Sequence, residues 1–405
     1  MKTLYVGDFF SFIEKRTRCT VEGVVDLLER EYGARCYIAG GAVRDILERR
    51  KVADVDIECY DISPDEFADA MRKLKADGVG KSFFVYKIEN VDISLPRVEK
   101  KVSAGHRGFE VSHINDMREA CRRRDFTINA MLLDIASATV LDYWGGLRDI
   151  GLRVLRAVDP ESFVEDSLRV LRAAQFSARF SYRIDRETCR LCREISLDDL
   201  PKERIFSEFE KIFFSQFPER GFHALCSMGV MDGLFDTSIG LRDFVTVSRA
   251  FLRYKEYFQS KLRRYYFVAV LYQYLRIDID LFLERIGAPR IYFRKLSGLP
   301  RIPEPPDEAF AAMVARDTGV KESVLNYHPE LREAARRIGV WEEPLDIGVT
   351  PRELLGRGFA GKELGEELER IRREKIETIR IAFEAKRRRS SRSLPDHDRE
   401  SEDMS

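Results

Sequence analysis

Hydrophobic and polar positions along the chain predict a region of mixed helices and strands near the start. Apolar residues recur at helical spacing from Val21 to Tyr32, and Gly33 is placed to end that helix. The stretch CYIAG predicts a short buried strand, and the turn at Gly40-Gly41 predicts the start of a helix. ADVDIEC alternates as a half-buried strand does, and FFVYKIE and VDISLP predict a hairpin with its turn near Glu89-Asn90.

Strand signals stop near Val158, and almost everything from Asp159 onward has helical periodicity. The pattern therefore predicts an α+β fold in which a mixed head precedes an all-α remainder. The predicted domains are a head at residues 1–157, a helical neck at 158–235, a helical body and tail at 236–385, and a disordered polar tail at 386–405.

Composition narrows the class of protein. Of the 405 residues, 44% are hydrophobic, which excludes wholesale disorder. Lys plus Arg equals Asp plus Glu, at 69 each, so a nucleic-acid surface would need local segregation of charge. No stretch approaches the roughly 18 apolar residues of a membrane span, and the start is broken by charges. Seven scattered cysteines suit a reducing compartment, so we expect a soluble cytoplasmic protein.

Candidate chemistry begins at Asp54 and Asp56. Residues two apart in a strand face the same side, so both carboxylates point to one place. Paired carboxylates can hold Mg²⁺, which prefers oxygen ligands and leaves room for substrate phosphates. The other interpretation of the pair is a solvated acidic strand edge.

The glycine turn before these carboxylates favours binding of anions, whereas the carboxylates favour binding of cations. Gly40 and Gly41 allow close approach of the backbone to phosphates, the following helix N-terminus offers free N–H groups, and Arg44 can reach a phosphate oxygen. A plain strand-to-helix turn is the alternative, and a Walker A motif is absent because no GK[ST] follows. A metal ion between the glycine turn and the carboxylates would allow phosphates to bind close to Asp54 and Asp56.

Five motifs in order resemble a known family. GGAVRD, DVD, RRDFTINAM, EDSLRVLRAAQF and KERIFSEFEKIF are similar to segments of class II tRNA nucleotidyltransferases and poly(A) polymerases, over roughly residues 35 to 235. The resemblance implies a polymerase-β-like nucleotidyltransferase head followed by an all-α neck, body and tail. It also implies attack of an RNA 3′-hydroxyl on the α-phosphate of a nucleoside triphosphate, with Mg²⁺ as cofactor and loss of pyrophosphate.

Further head residues acquire candidate roles. Asp92 in VDISLP would lie on a neighbouring strand as a third carboxylate, either base or metal ligand, or else as a plain exposed strand residue. Arg124 suits a triphosphate. The resemblance implies that Asp125 and Asn129, which are four apart, contact the ribose.

Base choice can be predicted from the pair Asp166 and Arg169, which are three apart and would share a helix face. A carboxylate only accepts hydrogen bonds and a guanidinium only donates them. The pair therefore suits the amino donor and ring-nitrogen acceptor of cytosine or adenine and rejects uracil and guanine. A surface salt bridge is the alternative interpretation. Arg172, one turn on, is predicted to meet phosphate or orient Arg169, and Gln175 stands where family members often carry arginine.

Three later segments have open interpretations. Phe251 to Leu275 mixes aromatic and basic residues, which suits either a helical core or RNA binding. Val349 to Ile371 could place backbone N–H groups and Lys362 against tRNA phosphates, or could be a packing unit. Pro96 to Phe109 is predicted to be a mobile loop that either shifts the pocket for A addition or contacts tRNA.

The resemblance implies a tRNA nucleotidyltransferase that adds C and A to tRNA 3′ ends without a nucleic-acid template. Its expected partners are tRNA and the substrates CTP and ATP, with no membrane. The catalytic motifs leave open a poly(A) polymerase, or an enzyme that adds only CC or only A. The sequence does not determine an oligomeric state.

Overall fold

The computed structural model describes residues 1–78, 85–101, 109–235, 239–258, 261–275 and 277–392. Two compact units divide the chain, Met1–Ile239 and Gly240–Ser405. Among the described residues, no helix is long and apolar enough to cross a membrane.

Unit 1 contains the described strands, eleven described α-helices and the short 3-10 helices Phe9–Phe12 and Thr127–Asn129. Its strands are β1 (Lys2–Tyr5), β2 (Arg35–Ala39), β3 (Val55–Tyr60), β4 (Asp77–Gly78), β5 (Val85–Ile88), β6 (Val91–Ser94), β7 (Arg97–Lys101), β8 (Phe109–His113), β9 (Met131–Asp134), β10 (Thr139–Asp142), β11 (Val154–Leu155) and β12 (Arg183–Ile184). Its helices are α1 (Lys15–Tyr32), α2 (Gly41–Leu47), α3 (Pro64–Lys73), α4 (Met117–Arg122), α5 (Gly146–Leu152), α6 (Pro160–Phe163), α7 (Leu168–Phe180), α8 (Arg186–Glu194), α9 (Lys202–Phe213), α10 (Pro218–Ser227) and α11 (Val230–Phe235).

Local sequence explains where these elements begin and end. Gly33 takes a left-handed conformation at φ 67° and closes α1, as predicted. Ser63 and Glu66 form a reciprocal capping box that starts α3, with Pro64 at its first position. The predicted hairpin is present as β5 and β6, and Glu89 adopts the positive φ of 52° that its tight turn requires.

In the described part of the chain, eight strands form the main sheet in the order β1-β10-β9-β2-β3-β6-β5-β4. β3 and β6 pair in parallel, and the other described pairs of this sheet are antiparallel. One face packs against apolar residues of α1, α2 and α3, with Val55, Ile57 and Cys59 pointing into this core. The alternate residues of β3 point to the other face, where Tyr60 packs against Tyr37 at a centroid distance of 5.4 Å.

Three details differ from the sequence prediction. Residues 97–101 and 109–113 pair as antiparallel strands β7 and β8, so both ends of the predicted mobile loop (Pro96 to Phe109) lie in regular strands; residues 102–108 lie outside the described residues. β12, which pairs with β11, lies after the point where the predicted strands end. It was not predicted because two residues are too few to show a periodicity. The last helix runs to Arg392, past the predicted start of the disordered tail at residue 386, and residues 393–405 lie outside the described part.

The regular elements among the described residues of unit 2 are all helices, in agreement with the predicted periodicity. Its helices are α12 (Leu241–Tyr254), α13 (Arg263–Tyr274), α14 (Ile279–Arg285), α15 (Arg290–Leu296), α16 (Glu308–Val314), α17 (Pro329–Arg337), α18 (Pro351–Gly356) and α19 (Gly361–Arg392). Phe251, Tyr265, Tyr266 and Phe267 are all buried, so these aromatic residues of the 251–275 segment belong to the core of the unit.

Candidate active site

Carboxylates from two neighbouring strands lie on the face of the sheet opposite the α1–α3 core. Asp56 on β3 is in register with Asp92 on β6, so the two side chains point to the same side. Asp54 precedes β3 by one residue, and Asp54 and Asp56 are both exposed. The charges of Asp92 and Asp54 both act on Asp56. The structure thus places Asp56 and Asp92 side by side on one face of the sheet, with Asp54 near enough for its charge to act on Asp56.

The protein raises the pKa of Asp56 above its ordinary value. Limited hydration of the carboxylate is the main cause, although part of the side chain is exposed. The negative charges of Asp92, Glu58 and Asp54 add to it, whereas the positive charge of Arg124 opposes it. Lys87 lies with Nζ 3.2 Å from Oδ1 of Asp92 and offsets part of this negative charge. A cation at this point would relieve the remaining repulsion.

The donor set fits the metal that the resemblance implies. Asp54 and Asp56 supply carboxylate oxygens, which are the ligands that Mg²⁺ prefers. Among the residues that the structure describes, no group of three or more His, Cys, Asp or Glu side chains is gathered as a ready metal cage. Two protein carboxylates would leave positions for substrate phosphates and water, which is typical of Mg²⁺.

Gly40 is required at its position by the backbone and by a close neighbour. It has φ 72° and ψ −134°, which L-residues rarely adopt. A Cβ at Gly40 would lie 2.7 Å from Nη1 of Arg124 and 3.4 Å from Oδ2 of Asp56. Gly41 differs, since a Cβ there would meet Nη2 of Arg44 at 3.4 Å, an ordinary contact. Of the predicted glycine pair, Gly40 is therefore the one that admits Arg124 next to Asp56.

Glu58 is a site residue that the sequence analysis missed. It lies two positions after Asp56 on the same face of β3 and is 2% exposed. Arg124 donates from Nη2 to Oε1 of Glu58 at 2.5 Å, and the hydroxyl of Tyr60 donates to Oε2 at 3.0 Å. Burial alone would raise the pKa of Glu58, but the charges of Arg124 and Arg123 and these hydrogen bonds outweigh burial and lower it. The spacing Asp54, Asp56, Glu58 could have indicated the residue.

Arg44 is buried in this structure, and its predicted phosphate contact stays a prediction. The sequence suggests a phosphate contact, but its side chain is 3% exposed and is already engaged. Nη1 donates to Oδ1 of Asn129 at 2.6 Å, Nε and Nη2 donate to Oδ1 of Asp45, and the guanidinium carbon lies 4.2 Å from the ring centroid of Phe180. α2 places this side chain against the rings of Phe176 and Phe180 on α7. Arg44 therefore joins elements inside unit 1.

Asp125 and Asn129 are also inside the protein, at 8% and 6% exposure. Asn129 donates from Nδ2 to Oδ1 of Asp125 at 3.0 Å, which fits their predicted spacing of four. Arg172 donates from Nε and Nη2 to Oδ2 of Asp125, at 2.8 and 2.6 Å. Burial alone would raise the pKa of Asp125, but the charge of Arg172 and these hydrogen bonds outweigh it and lower the pKa. In this structure Asp125 and Asn129 bind protein groups, and their predicted ribose contact stays a prediction.

Asp166 and Arg169 do not share a helix face in the way predicted, because α7 begins only at Leu168. Asp166 accepts from the backbone N–H of Leu168 at 3.1 Å, while Arg169 donates from Nη1 to the carbonyl of Ser162 at 2.6 Å and from Nη2 to that of Arg123 at 2.5 Å. Within the described part of the chain the two side chains thus form no salt bridge with each other. Both are partly exposed.

Other predicted residues divide between packing and surface. Gln175 on α7 is 4% exposed, so the departure from the family pattern falls at a buried position. In unit 2, Thr350 and Glu353 form a capping box at the start of α18, and Lys362 near the start of α19 has a side chain that is 91% exposed. The residues Gly105, His106, Arg107 and Gly108 of the predicted loop lie outside the described residues.

Comparison with known families identifies two segments of unit 1. Residues 36–156 match the model of the poly A polymerase head domain, and residues 181–237 match a model described as a probable RNA and SrmB-binding site of polymerase A. These matches confirm the resemblance predicted from the five motifs.

Curated relatives match over part of their length. A multifunctional CCA protein of Stenotrophomonas maltophilia is 40% identical over 198 residues, which are 45% of this chain and 47% of the relative. A multifunctional CCA protein of Nitrosospira multiformis is 37% identical over 205 residues, 49% of this chain and 48% of the relative. The matched region thus spans about half the length of these relatives.

Solved structures share the fold over most of the chain. The Thermotoga maritima CCA-adding enzyme complexed with tRNA has a TM-score of 0.66 and 21% identity, with 93% of this chain and 95% of that chain covered. The Bacillus stearothermophilus CCA-adding enzyme in complex with CTP has a TM-score of 0.59 and 20% identity, with 94% and 100% covered. The predicted fold, a nucleotidyltransferase head followed by helices, is confirmed.

Proposed function

We propose, on the premise that residues 36–156 form a poly A polymerase head domain, that this protein is a tRNA nucleotidyltransferase. It adds C and A to tRNA 3′ ends from CTP and ATP, without a nucleic-acid template, and releases pyrophosphate. The observation that carries the proposal is the pairing of Asp56 with Asp92 on parallel strands, next to the Gly40 turn. The names of the curated relatives and the ligands of the solved neighbours support the substrate class.

Mg²⁺ is the proposed cofactor, held by Asp54 and Asp56. When bound, it would supply charge neutralisation for the triphosphate and activation of the attacking hydroxyl. Asp92 completes the acidic face as a further ligand or as the base that takes the hydroxyl proton. Lys87, on the strand at the other side of Asp92 from Asp56, pairs with the Asp92 carboxylate, with Nζ 3.2 Å from Oδ1.

The chain's own residues orient the nucleotide. Gly40 leaves room for Arg124 beside Asp56, and Arg124, held by its bond to Glu58, places positive charge there for the triphosphate. Asp166 offers an acceptor for the amino group of cytosine or adenine. Arg169 supports this role if it exchanges one of its two backbone carbonyl partners for the ring nitrogen of the base. The side chain of Arg172 is 33% exposed while it holds Asp125.

Alternatives within the same chemistry are a poly(A) polymerase and an enzyme that adds only CC or only A. These enzymes would use the same carboxylates and differ in which nucleotides the pocket selects and how many are added. The work of such enzymes on tRNA is expected in the cytoplasm.

Extension of defined RNAs tests the proposal. The full chain is incubated with Mg²⁺ and single labelled nucleotides, using tRNA that lacks CCA, tRNA that ends in CC, and an unstructured RNA of equal length. Incorporation of C into the first tRNA and of A into the second supports CCA addition. Repeated A on the unstructured RNA supports a poly(A) polymerase, and no incorporation on any RNA overturns the proposed function.

A further inference from the structure

Five side chains form a continuous chain of contacts from α2 to α7, and we call them the relay network. Arg44 binds Asp45 through Nε and Nη2, at 3.0 and 2.9 Å, and donates from Nη1 to Oδ1 of Asn129 at 2.6 Å. Asn129 donates from Nδ2 to Oδ1 of Asp125 at 3.0 Å. Asp125 accepts on Oδ2 from Nε and Nη2 of Arg172, at 2.8 and 2.6 Å.

Asn129 joins the two halves of the relay network for a chemical reason. The Arg44 guanidinium can only donate, and the Asp125 carboxylate can only accept. The residue between them must therefore accept on one side and donate on the other, which an amide does. Because Asn129 is 6% exposed, solvent is poorly placed to replace it.

The ends of the relay network belong to the two parts of the proposed nucleotide site. α2, which carries Arg44, follows directly after the Gly40 turn, whereas α7, which carries Arg172, begins two residues after Asp166. Aromatic contacts stiffen both ends, since the guanidinium carbon of Arg44 lies 4.2 Å from the ring centroid of Phe180 and that of Arg172 lies 4.9 Å from the centroid of Phe176. The network thus fixes the separation of the two helices.

We propose that Asn129 is a positioning residue that couples placement of the triphosphate to choice of the base. A nucleotide of fixed length must place its phosphates at the Gly40 turn and its base at Asp166 together. If α2 moves relative to α7, the base moves relative to Asp166, and base discrimination falls. This inference rests on the proposed function, and it assigns Asn129 an action through Arg44 and Asp125 in place of a direct ribose contact.

Asn129→Asp breaks one joint of the relay network selectively. Oδ1 can still accept from Arg44, but an oxygen now replaces the Nδ2 donor and faces the Asp125 carboxylate. A hydrogen bond to a charged group is worth about 1.5–3 kcal/mol, so we expect kcat/KM for CTP to fall about 10- to 100-fold. The preference for CTP over UTP should fall about tenfold as well. A merely structural role would lower the melting temperature and leave this preference unchanged.

The exchange variant, Asp125→Asn with Asn129→Asp, restores a donor and an acceptor in reversed order. The amide at position 125 can donate to the carboxylate at 129, and the two arginines each keep an acceptor. Recovery will be incomplete, because the backbone N–H of Phe126 also donates to Asp125, at 2.7 Å. We expect at least about a threefold recovery of kcat/KM over Asn129→Asp. A direct ribose contact by Asp125 would show no recovery.

Asn115→Asp is the matched control. Asn115 also donates to a carboxylate, from Nδ2 to Oδ1 of Asp61 at 2.7 Å, but it lies outside the relay network. We expect it to leave the preference for CTP over UTP unchanged. The inference is overturned if Asn129→Asp keeps the wild-type preference, or if the exchange variant recovers nothing. If wild type adds no nucleotide to tRNA, the proposed function fails, and binding of CTP and UTP measured by calorimetry then decides the inference by the same comparison.

Discussion

Substitution of Gly40 by alanine should destabilise unit 1 far more than the same change at Gly41. The backbone of Gly40 is in a region that costs other residues about 1–3 kcal/mol. Its new Cβ would also lie 2.7 Å from Nη1 of Arg124. Arg124 cannot easily move away, because its Nη2 bonds the buried carboxylate of Glu58 at 2.5 Å.

The two costs are of separate origin and can be added. Forced overpacking costs about 1–3 kcal/mol, so the total for Gly40→Ala is about 2–6 kcal/mol. Unit 1 spans Met1–Ile239, and for a domain of this size each kcal/mol lowers the melting temperature by about 2–4 °C. We therefore expect a fall of about 4 °C or more.

Circular dichroism and calorimetry of the full chain measure the effect. The transition of unit 1 is identified by its shift on addition of CTP with Mg²⁺. Gly41→Ala is the matched control, since its Cβ meets Nη2 of Arg44 at an ordinary 3.4 Å and alanine favours the helix. The reasoning is refuted if Gly40→Ala melts within about 1 °C of wild type, or if the two variants are equally destabilised.

Three further predictions concern the carboxylates. Glu58→Ala should lower the free energy of unfolding by about 3–5 kcal/mol, because it leaves Arg124 buried without its partner. The double variant Glu58→Met with Arg124→Met should recover much of the melting temperature but no activity. Equal melting of Glu58→Ala and wild type would contradict this. Because folding raises the pKa of Asp56, its contribution to stability is present at low pH and is lost as pH rises through the folded-state pKa. At neutral pH in EDTA, Asp56→Asn should therefore melt no lower than wild type. The same variant should lose nucleotide addition and stabilisation by Mg²⁺. Asp166→Ala should weaken rejection of UTP and GTP by about 1–3 kcal/mol in ratios of kcat/KM, and unchanged rejection would exclude a role in base choice.

The fold and the carboxylate face could be predicted from the sequence because their signals are local. Alternation in ADVDIEC and VDISLP predicts neighbouring strands, and the register of Asp56 with Asp92 agrees with the placement of Asp92 on a strand beside β3. The positive φ of Gly33 and the turn at Glu89 likewise follow from residues within a few positions.

The partners of Arg44 could not be predicted, because they depend on contacts between distant segments. Asn129 is 85 residues away from Arg44, and nothing in GGAVRD distinguishes an arginine that faces substrate from one that faces Asn129. Arg44 is buried because α2 places its side chain against α7. The β7 and β8 strands were missed for a related reason: their pairing is through the backbone, and charged residues such as Glu99 and Lys100 hide the alternation.

Sequencing of 3′ ends tests the central claim most directly. Wild type and Asp56→Asn are each given tRNA that lacks CCA, Mg²⁺ and all four nucleotides together, and the added residues are sequenced. The account predicts that wild type adds C, C and A in that order and stops, and that Asp56→Asn adds nothing. Runs of A, random additions, or full addition by Asp56→Asn would contradict it.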